Sequence, residues 1–283
     1  MTGSFRAELL KLRKRWATWV LLAVWLVLTE IFGYVVPYST YRSDRGKAGS
    51  AGDDPQGLLL KVLPGHLVGS SLAGYAVFVG ALALIFGALA SGSEYGWGTW
   101  KTSLIQHASR AEVLVGKLAA LVVMVFGGVL VNFVVGGATS FALASAESAS
   151  TGLPGAGDLL KGFLLGGLIL SMWCLAGAML GFLVRGVALP VGLGVVWVLG
   201  VENLISQVAT NMLHGLRWLH DVMPGATSGS IVYSLDPIAE RGKGPSPGVV
   251  HAVSGGRGAV TVLLYATAFA AATFLVVRER DVS

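Results

Sequence analysis

The residues that could carry chemistry are few in this chain. The five histidines fall in loops or at the ends of apolar runs, and the single cysteine, Cys174, lies inside such a run. No H-E-x-x-H, G-x-S-x-G, metal-spaced Cys/His cluster or phosphate-binding G-x-x-x-x-G-K-[ST] motif occurs. The sequence therefore predicts neither an enzyme nor a metal or cofactor site, and it predicts that the chain has no ATP-binding phosphate loop of its own.

Three polar residues inside apolar runs are candidates for lining a polar cavity: Glu30, Asn132 and Glu202. Counting about 1.5 Å per helical residue from Arg15 and Arg185 places both carboxylates in the outer half of a bilayer. Because a carboxylate is costly in hydrocarbon, each should face protein or water. Two interpretations stay open, an outer vestibule or a structural role at the outer interface. Asn132 fits an interhelical hydrogen bond.

The composition is that of a membrane protein. Only 12% of the residues are charged and the mean hydropathy is +0.72, whereas a soluble domain has about 25% charged residues. Crossing the hydrocarbon core takes about 20 apolar residues. The sequence predicts an all-α polytopic bundle with about six transmembrane helices, at residues 16–36, 67–90, 113–143, 159–184, 187–208 and 259–277.

The fourth and fifth apolar runs are separated only by Arg185 and Gly186, and Pro190 follows closely. A single helix across both runs would be far too long for one crossing. Two spans joined by a tight turn are therefore predicted.

Glycine is abundant, with 40 residues in the chain. Small residues let membrane helices approach closely, although a GC-rich genome would also raise the glycine content. G-x-x-x-G spacing occurs at Gly65/Gly69 and at Gly177/Gly181. Since chance matches are expected at this density, the spacing alone is slight support for a packing face.

The distribution of basic residues predicts the orientation. Lys11, Arg13, Lys14 and Arg15 stand directly before the first apolar run, and such a cluster marks the cytoplasmic side. An even number of spans then places both termini in the cytoplasm. The first run is too long for the core of a signal peptide and no A-x-A site follows it, so an uncleaved span is predicted.

The first 15 residues are predicted to form an amphipathic helix in the membrane interface, preceding a single transmembrane domain at 16–283. Phe5, Leu9, Leu12 and Trp16 recur at three- to four-residue spacing, with basic residues mostly elsewhere around the helix. The alternative is a solvated basic flank that only orients the first span.

The inner loop 91–112, SGSEYGWGTWKTSLIQHASRAE, carries an apolar stripe at helical spacing that includes Trp97, Trp100 and Leu104. Ser109 is predicted to cap the helix that follows. A short amphipathic helix here could dock a soluble partner, or its tryptophans could belong to an interfacial aromatic belt. The residues alone leave both open.

The outer segment 209–258 is the largest piece outside the predicted spans. Its first part, NMLHGLRWLHDVMPG, has helical periodicity and predicts a short helix resting in the outer interface. The later ERGKGPSPGVVHAVSGGRG has loop composition.

Taken together, these features resemble the bacterial ABC-2 permeases, the membrane subunits of type-2 ABC exporters. The stretch EYGWGTWK at 94–101 is similar to the family's E-x-x-x-G-T pattern, and a Ser-Arg pair at 109–110 and Lys117 follow as the third span begins. The chain also ends in an apolar span and then RERD at 278–281, similar to the family's short tail.

The resemblance implies six spans, a homodimer and a separately encoded ATPase. It implies that the 91–112 loop is the coupling element that docks on this ATPase, with the N-terminal helix adding to the contact. The segment 209–258 has the position of the family's outer re-entrant region, although its own sequence shows no re-entrance. The residues expected to couple or dock are Glu94, Trp97, Gly98, Thr99, Trp100, Lys101 and Arg110.

The leading hypothesis is a permease subunit of an ATP-driven exporter in the bacterial cell membrane, with Glu30, Asn132 and Glu202 as possible translocation-path residues. Its expected partners are the ATPase, a second copy and the bilayer, and not nucleic acid. The alternative is a multi-pass scaffold or immunity-type protein that transports nothing, which would need no ATPase gene beside its own. An ion-coupled transporter would need more carboxylates deep in the spans than Glu30 and Glu202.

Overall fold

The computed structural model describes residues 2–44, 55–96, 109–211, 217–236 and 248–279, and all regular secondary structure in these ranges is helical. Six helices within these ranges are long and apolar enough to cross a membrane, which confirms the predicted all-α six-span bundle. In chain order the helices are α1 (Thr2–Lys14), α2 (Trp16–Asp44), α3 (Pro55–Val62), α4 (Pro64–Gly96), α5 (Arg110–Ala146), α6 (Ala156–Val184), α7 (Ala188–Ser206), α8 (Arg217–Val222), α9 (Pro224–Leu235) and α10 (Gly255–Glu279).

Helices α4 and α6 form the centre of the bundle. In their most apolar windows 61% and 72% of the residues are buried, against 22% in each of α2, α7 and α10. The peripheral helices leave large apolar side chains exposed. Lipid tails are as apolar as these side chains, so exposure there carries no hydrophobic cost.

Glycines bring the backbones of α4 and α6 into direct contact. A Cβ atom on Gly87 would collide with the carbonyl oxygen of Cys174, and one on Gly177 with the carbonyl oxygen of Leu84. Gly181 also faces α4, where a Cβ atom would collide with the Ser91 hydroxyl and lie 3.0 Å from the carbonyl oxygen of Ala88. The packing face suggested by the Gly177/Gly181 spacing is confirmed, and the close approach increases van der Waals contact where lipid offers no hydrophobic driving force.

The second span is interrupted near its start, which the predicted continuous span 67–90 did not include. Gly74 has a φ of 80°, a left-handed conformation that suits glycine, and the helix resumes as a π-helical turn at Tyr75–Val79. Gly69, before this break, packs against the side chain of Asp236. The Gly65/Gly69 spacing therefore belongs to a contact with a loop residue.

Two predicted helix boundaries are confirmed. Helix α6 ends at Val184, Arg185 takes a left-handed φ of 56°, and α7 begins at Ala188, so the two apolar runs are separate spans. The hydroxyl of Ser109 accepts a hydrogen bond of 3.2 Å from the backbone N–H of Glu112 and caps α5.

Helix α9 was not predicted. It packs against α6, α10 and the π-helical turn of α4, and Thr227, Ser228 and Ser230 are fully buried on it. Their hydroxyls donate to carbonyls of the preceding turn, which satisfies these donors within the helix. The Ser230 hydroxyl also accepts hydrogen bonds from the backbone N–H groups of Ala252 and Val253. The small polar residues of PGATSGS lack the apolar periodicity by which a buried helix is recognised in sequence.

Candidate functional site

The candidate site lies where α4 ends and α5 begins, beside α1. Glu94, near the end of α4, is 2% exposed. Its carboxylate lies 2.7 Å from the ammonium of Lys117 on α5 and 2.9 Å from that of Lys11 on α1. A residue singled out by the sequence as a coupling candidate is thus held by cations from two other helices.

Glu8 completes this cluster, called here the charge cluster: Glu8, Lys11, Glu94 and Lys117. The ammonium of Lys117 donates to the carboxylate of Glu8 over 2.9 Å, and Lys11 pairs with Glu8 one turn away on α1. The two carboxylates balance the two ammonium groups. Such balance is required because an unpaired charge in a buried site is strongly unfavourable.

The charge cluster is protected from water except on one side. The side chains of Lys117 and Glu94 are each 2% exposed and that of Glu8 is 7% exposed, whereas the side chain of Lys11 is 41% exposed. Partial burial lowers the pKa of Lys11, but its hydrogen bond to Glu8 and the nearby Glu94 carboxylate outweigh this and leave the pKa raised. Lys11 is therefore charged throughout the physiological range.

The local sequence explains why α1 lies against α5. Leu12 is 3% exposed and Glu8 lies one turn before it on the same buried face. On α5, Gly116 allows the backbone of Phe5 to approach, since a Cβ there would lie 3.0 Å from the Phe5 nitrogen. Helix α1 is thus fixed to α5 by apolar contacts as well as by ion pairs.

Two further contacts reach the backbone of α4, one from Lys117 of the charge cluster and one from Arg15, which stands between α1 and α2. The ammonium of Lys117 lies 3.4 Å from the carbonyl oxygen of Ala90, and the guanidinium of Arg15 donates to the carbonyl oxygen of Leu89 over 3.3 Å. Residues 97–108 connect α4 to α5, so the charge cluster holds together the two helices from which that segment extends. What the arrangement offers is a mechanical connection between α1, α4 and α5.

Of the other predicted coupling residues, the structure describes only the backbone of Arg110. Trp97, Gly98, Thr99, Trp100 and Lys101 lie outside the described residues, and the predicted docking element lies there with them. Arg110 is the first residue of α5, and its side chain is outside the described part.

Sequence reasoning found Glu94 and Lys117 through the family pattern but missed Glu8 and Lys11. A signal was present, since Glu8 stands between Phe5 and Leu12 on the apolar stripe of α1. An acidic residue on a face that must be buried calls for a buried basic partner.

Glu202 lies apart from the charge cluster, on α7 directly after its π-helical turn at Val196–Val201. It is 7% exposed and accepts a hydrogen bond of 3.0 Å from the indole nitrogen of Trp197. Its carboxylate also packs against Gly225, close enough that a Cβ there would collide with it. Gly225 is in the first turn of α9, where unpaired N–H groups and the helix dipole favour a negative charge.

A small cavity of about 40 Å³ adjoins Glu202 and is also lined by Ser206 and His220. The hydroxyl of Ser206 lies 3.0 Å from Nε2 of His220. The cavity has room for little more than water. These contacts account for the burial of Glu202 between α7 and α9. The outer vestibule and the structural role both stay predictions.

The remaining two candidates lie elsewhere. The amide of Asn132 on α5 donates to the carbonyl oxygen of Ser71 over 2.9 Å and to the hydroxyl of Tyr75 over 3.2 Å, so the predicted interhelical hydrogen bond is confirmed. Glu30 is half-buried on α2, just before a π-helical turn at Ile31–Val35. Within the described residues, Glu30 and Glu202 share no hydrogen-bond partner.

Comparison with known proteins gives one finding. A family model described as "ABC-2 family transporter protein" matches residues 4–201. No curated protein matches the chain. The matched range includes the whole charge cluster and ends one residue before Glu202.

Proposed function

The chain belongs to the ABC-2 family of transporter proteins, and from this membership we propose that it is the permease subunit of an ATP-driven exporter. It is a multi-pass membrane protein of a transporter family whose members work with an ABC ATPase. In the proposed role it forms the translocation path and takes force from a separate ATPase subunit. The single observation that carries this role is the charge cluster at the ends of the 97–108 segment.

Force would enter through residues 97–108 and leave through the charge cluster. Glu94 and Lys117 are 2.7 Å apart and buried, so a displacement of the segment moves α4 and α5 together. Glu8 and Lys11 extend the same connection to α1. A movement of the ATPase would therefore displace α1, α4 and α5 together. This supports a role of the charge cluster in transmitting force, beyond binding the ATPase.

The docking surface is proposed to be formed by Trp97, Gly98, Thr99, Trp100 and Lys101, with Arg110 beside them and α1 adding to the contact. Tryptophan and arginine are enriched in protein interfaces. ATP binding then belongs to the partner, in keeping with the absence of a phosphate-loop motif from the sequence.

We also propose that both termini face the cytoplasm of a bacterial cell membrane and that two copies pair. The basic cluster before α2 supports the orientation. The exposed apolar faces of α2 and α7, including Trp16, Val27 and Leu204, offer surface for a second copy as well as for lipid.

A co-purification experiment tests the ATPase partner. The full chain is extracted from membranes in mild detergent together with the ABC ATPase encoded beside its gene, and retention of the ATPase is measured. Replacing Trp100 and Lys101 together by Asp should abolish retention. Replacing Arg217 and Trp218 by Asp is the matched control, since this basic–aromatic pair lies at α8 and its loss should leave retention unchanged. If the ATPase still binds the Trp100/Lys101 variant, the docking assignment is wrong.

A further inference from the structure

An apolar groove of about 330 Å³ opens between α2, α4 and α5, apart from the charge cluster. Its lining is almost entirely hydrocarbon and aromatic surface. Representative lining residues are Trp19, Leu22, Phe86, Met124, Gly127 and Val131.

The groove is open down to the backbone of α5. A Cβ atom added at Gly127 would meet nothing within 4 Å. Along α5 the lining runs from Val123 to Val131, a rise of about 12 Å. One leaflet of the hydrocarbon core is about 15 Å deep, so the length of the groove matches most of one leaflet.

One end of the groove carries a positive charge. Arg13 is exposed and is the only charged side chain among the described residues that line the groove. The polar groups next to it are already engaged, since the Thr18 hydroxyl donates to the Leu12 carbonyl and the Trp19 indole donates to the Arg13 carbonyl. The group at this end that can contact a ligand is therefore the Arg13 guanidinium, at the junction of α1 and the first span.

We propose that this groove holds one acyl chain of an anionic phospholipid, with the lipid phosphate against Arg13. An arginine at the membrane surface attracts anionic headgroups and binds phosphate through its planar fork of donors. The apolar walls below it match a chain running toward the middle of the bilayer. The site depends on α1 lying at the membrane interface and does not depend on an ATPase partner.

A lipid titration of the purified chain tests the site. The detergent-solubilised, delipidated chain is titrated with dioleoylphosphatidylglycerol or dioleoylphosphatidylcholine, and bound lipid is counted by native mass spectrometry. The two lipids share their acyl chains, so a difference reports the headgroup. The wild-type chain should bind the anionic lipid about fivefold more tightly, as expected for one basic residue at a membrane surface.

Two variants separate the two halves of the site. Arg13→Gln should remove the preference by weakening binding of the anionic lipid more than binding of the zwitterionic lipid, whose phosphate charge is already balanced by its own choline cation. Gly127→Leu fills the groove and should weaken binding of both lipids. Gly200→Leu is the matched control, because a Cβ at Gly200 on α7 also meets nothing within 4 Å, and it should bind both lipids like the wild type.

Three outcomes would overturn the proposal. Equal affinity of the wild-type chain for both lipids removes the headgroup assignment, and unchanged lipid binding by Gly127→Leu removes the groove. If Gly127→Leu instead dissociates a dimer and leaves lipid binding intact, a second copy of the chain is the occupant. The titration contains no ATPase, so failure of the proposed coupling does not affect its result.

Discussion

The ammonium of Lys117 lies 2.7 Å from the carboxylate of Glu94, and the two residues stand on either side of the segment proposed to contact the ATPase. Both side chains are 2% exposed. This ion pair connects the end of α4 to the first turns of α5. The first prediction follows from this contact.

Removing either charge alone should destabilise the protein, and removing both should cost much less than the sum. Glu94→Gln or Lys117→Met leaves a buried charge without its main partner, which costs about 3–5 kcal/mol. For a chain of this size that is a fall of roughly 10 °C in the unfolding midpoint. The measurement is a double-mutant cycle by tryptophan fluorescence in detergent. Additive effects of the two substitutions would show that the pair is not coupled.

Glu8 is expected to hold α1 against α5. In the Glu8→Gln variant Lys117 loses one carboxylate partner, so α1 should detach more often. A cysteine at position 12 reports this detachment, because Leu12 is 3% exposed and the native Cys174 is buried. Labelling of Leu12→Cys by a membrane-impermeant maleimide should accelerate severalfold in the Glu8→Gln background.

Arg6→Gln is the control for that experiment, since Arg6 is exposed on the same helix and its loss should leave the labelling rate unchanged. Leu10→Cys, at a position 53% exposed, should label rapidly in every background. Equal labelling of Leu12→Cys with and without Glu8 would contradict the proposed attachment.

The backbone contact between α4 and α6 should tolerate no side chain. Gly177→Ala forces a methyl group onto the Leu84 carbonyl, and such overpacking costs about 1–3 kcal/mol. Gly192→Ala places the same methyl group in open space on α7 and should be neutral or slightly stabilising, because alanine favours the helix. Thermal unfolding of the two variants measures the difference. Similar midpoints for both would show that the helices can separate without cost.

Glu202 allows a test between a structural and a transport role. Glu202→Gln keeps an acceptor for the Trp197 indole, whereas Glu202→Leu removes it and leaves the N-terminus of α9 without its partner. As an anchor, Glu202 predicts a loss of about 1–3 kcal/mol for the Leu variant and a smaller loss for the Gln variant. Unfolding midpoints are compared with transport in the same preparations. Loss of transport in both Glu202→Gln and Glu30→Gln, with unchanged midpoints, would favour the translocation-path role.

The sequence predicted the spans well because hydrocarbon thickness fixes their length and the loops between them are polar. The turn at Arg185 could be anticipated for the same reason, since one helix could not cover both runs. Helix α9 could not be anticipated, because Thr227, Ser228 and Ser230 donate their hydroxyls to carbonyls within the helix and produce no apolar pattern.

Two of the four residues of the charge cluster could be predicted from the sequence. Glu94 and Lys117 belong to one recognisable pattern around the inner loop. Glu8 pairs with Lys117, which is 109 positions away in the sequence. Motif spacing cannot predict a contact between residues so far apart along the chain. What the sequence does contain is an acidic residue on an apolar face, which indicates that a basic partner exists without identifying it.

The glycine contact between α4 and α6 sets a limit on how this molecule can change shape. At Gly87 and Gly177 the two helices touch through their main chains, with no side chain between them that could change rotamer, so sliding there would break many contacts at once. Helices α4 and α6 should therefore move together as one rigid unit. If the protein alternates access between the two faces of the membrane, the movement is then expected in the peripheral helices α2, α7 and α10, which are the least buried. The contact between α4 and α6 would stay intact.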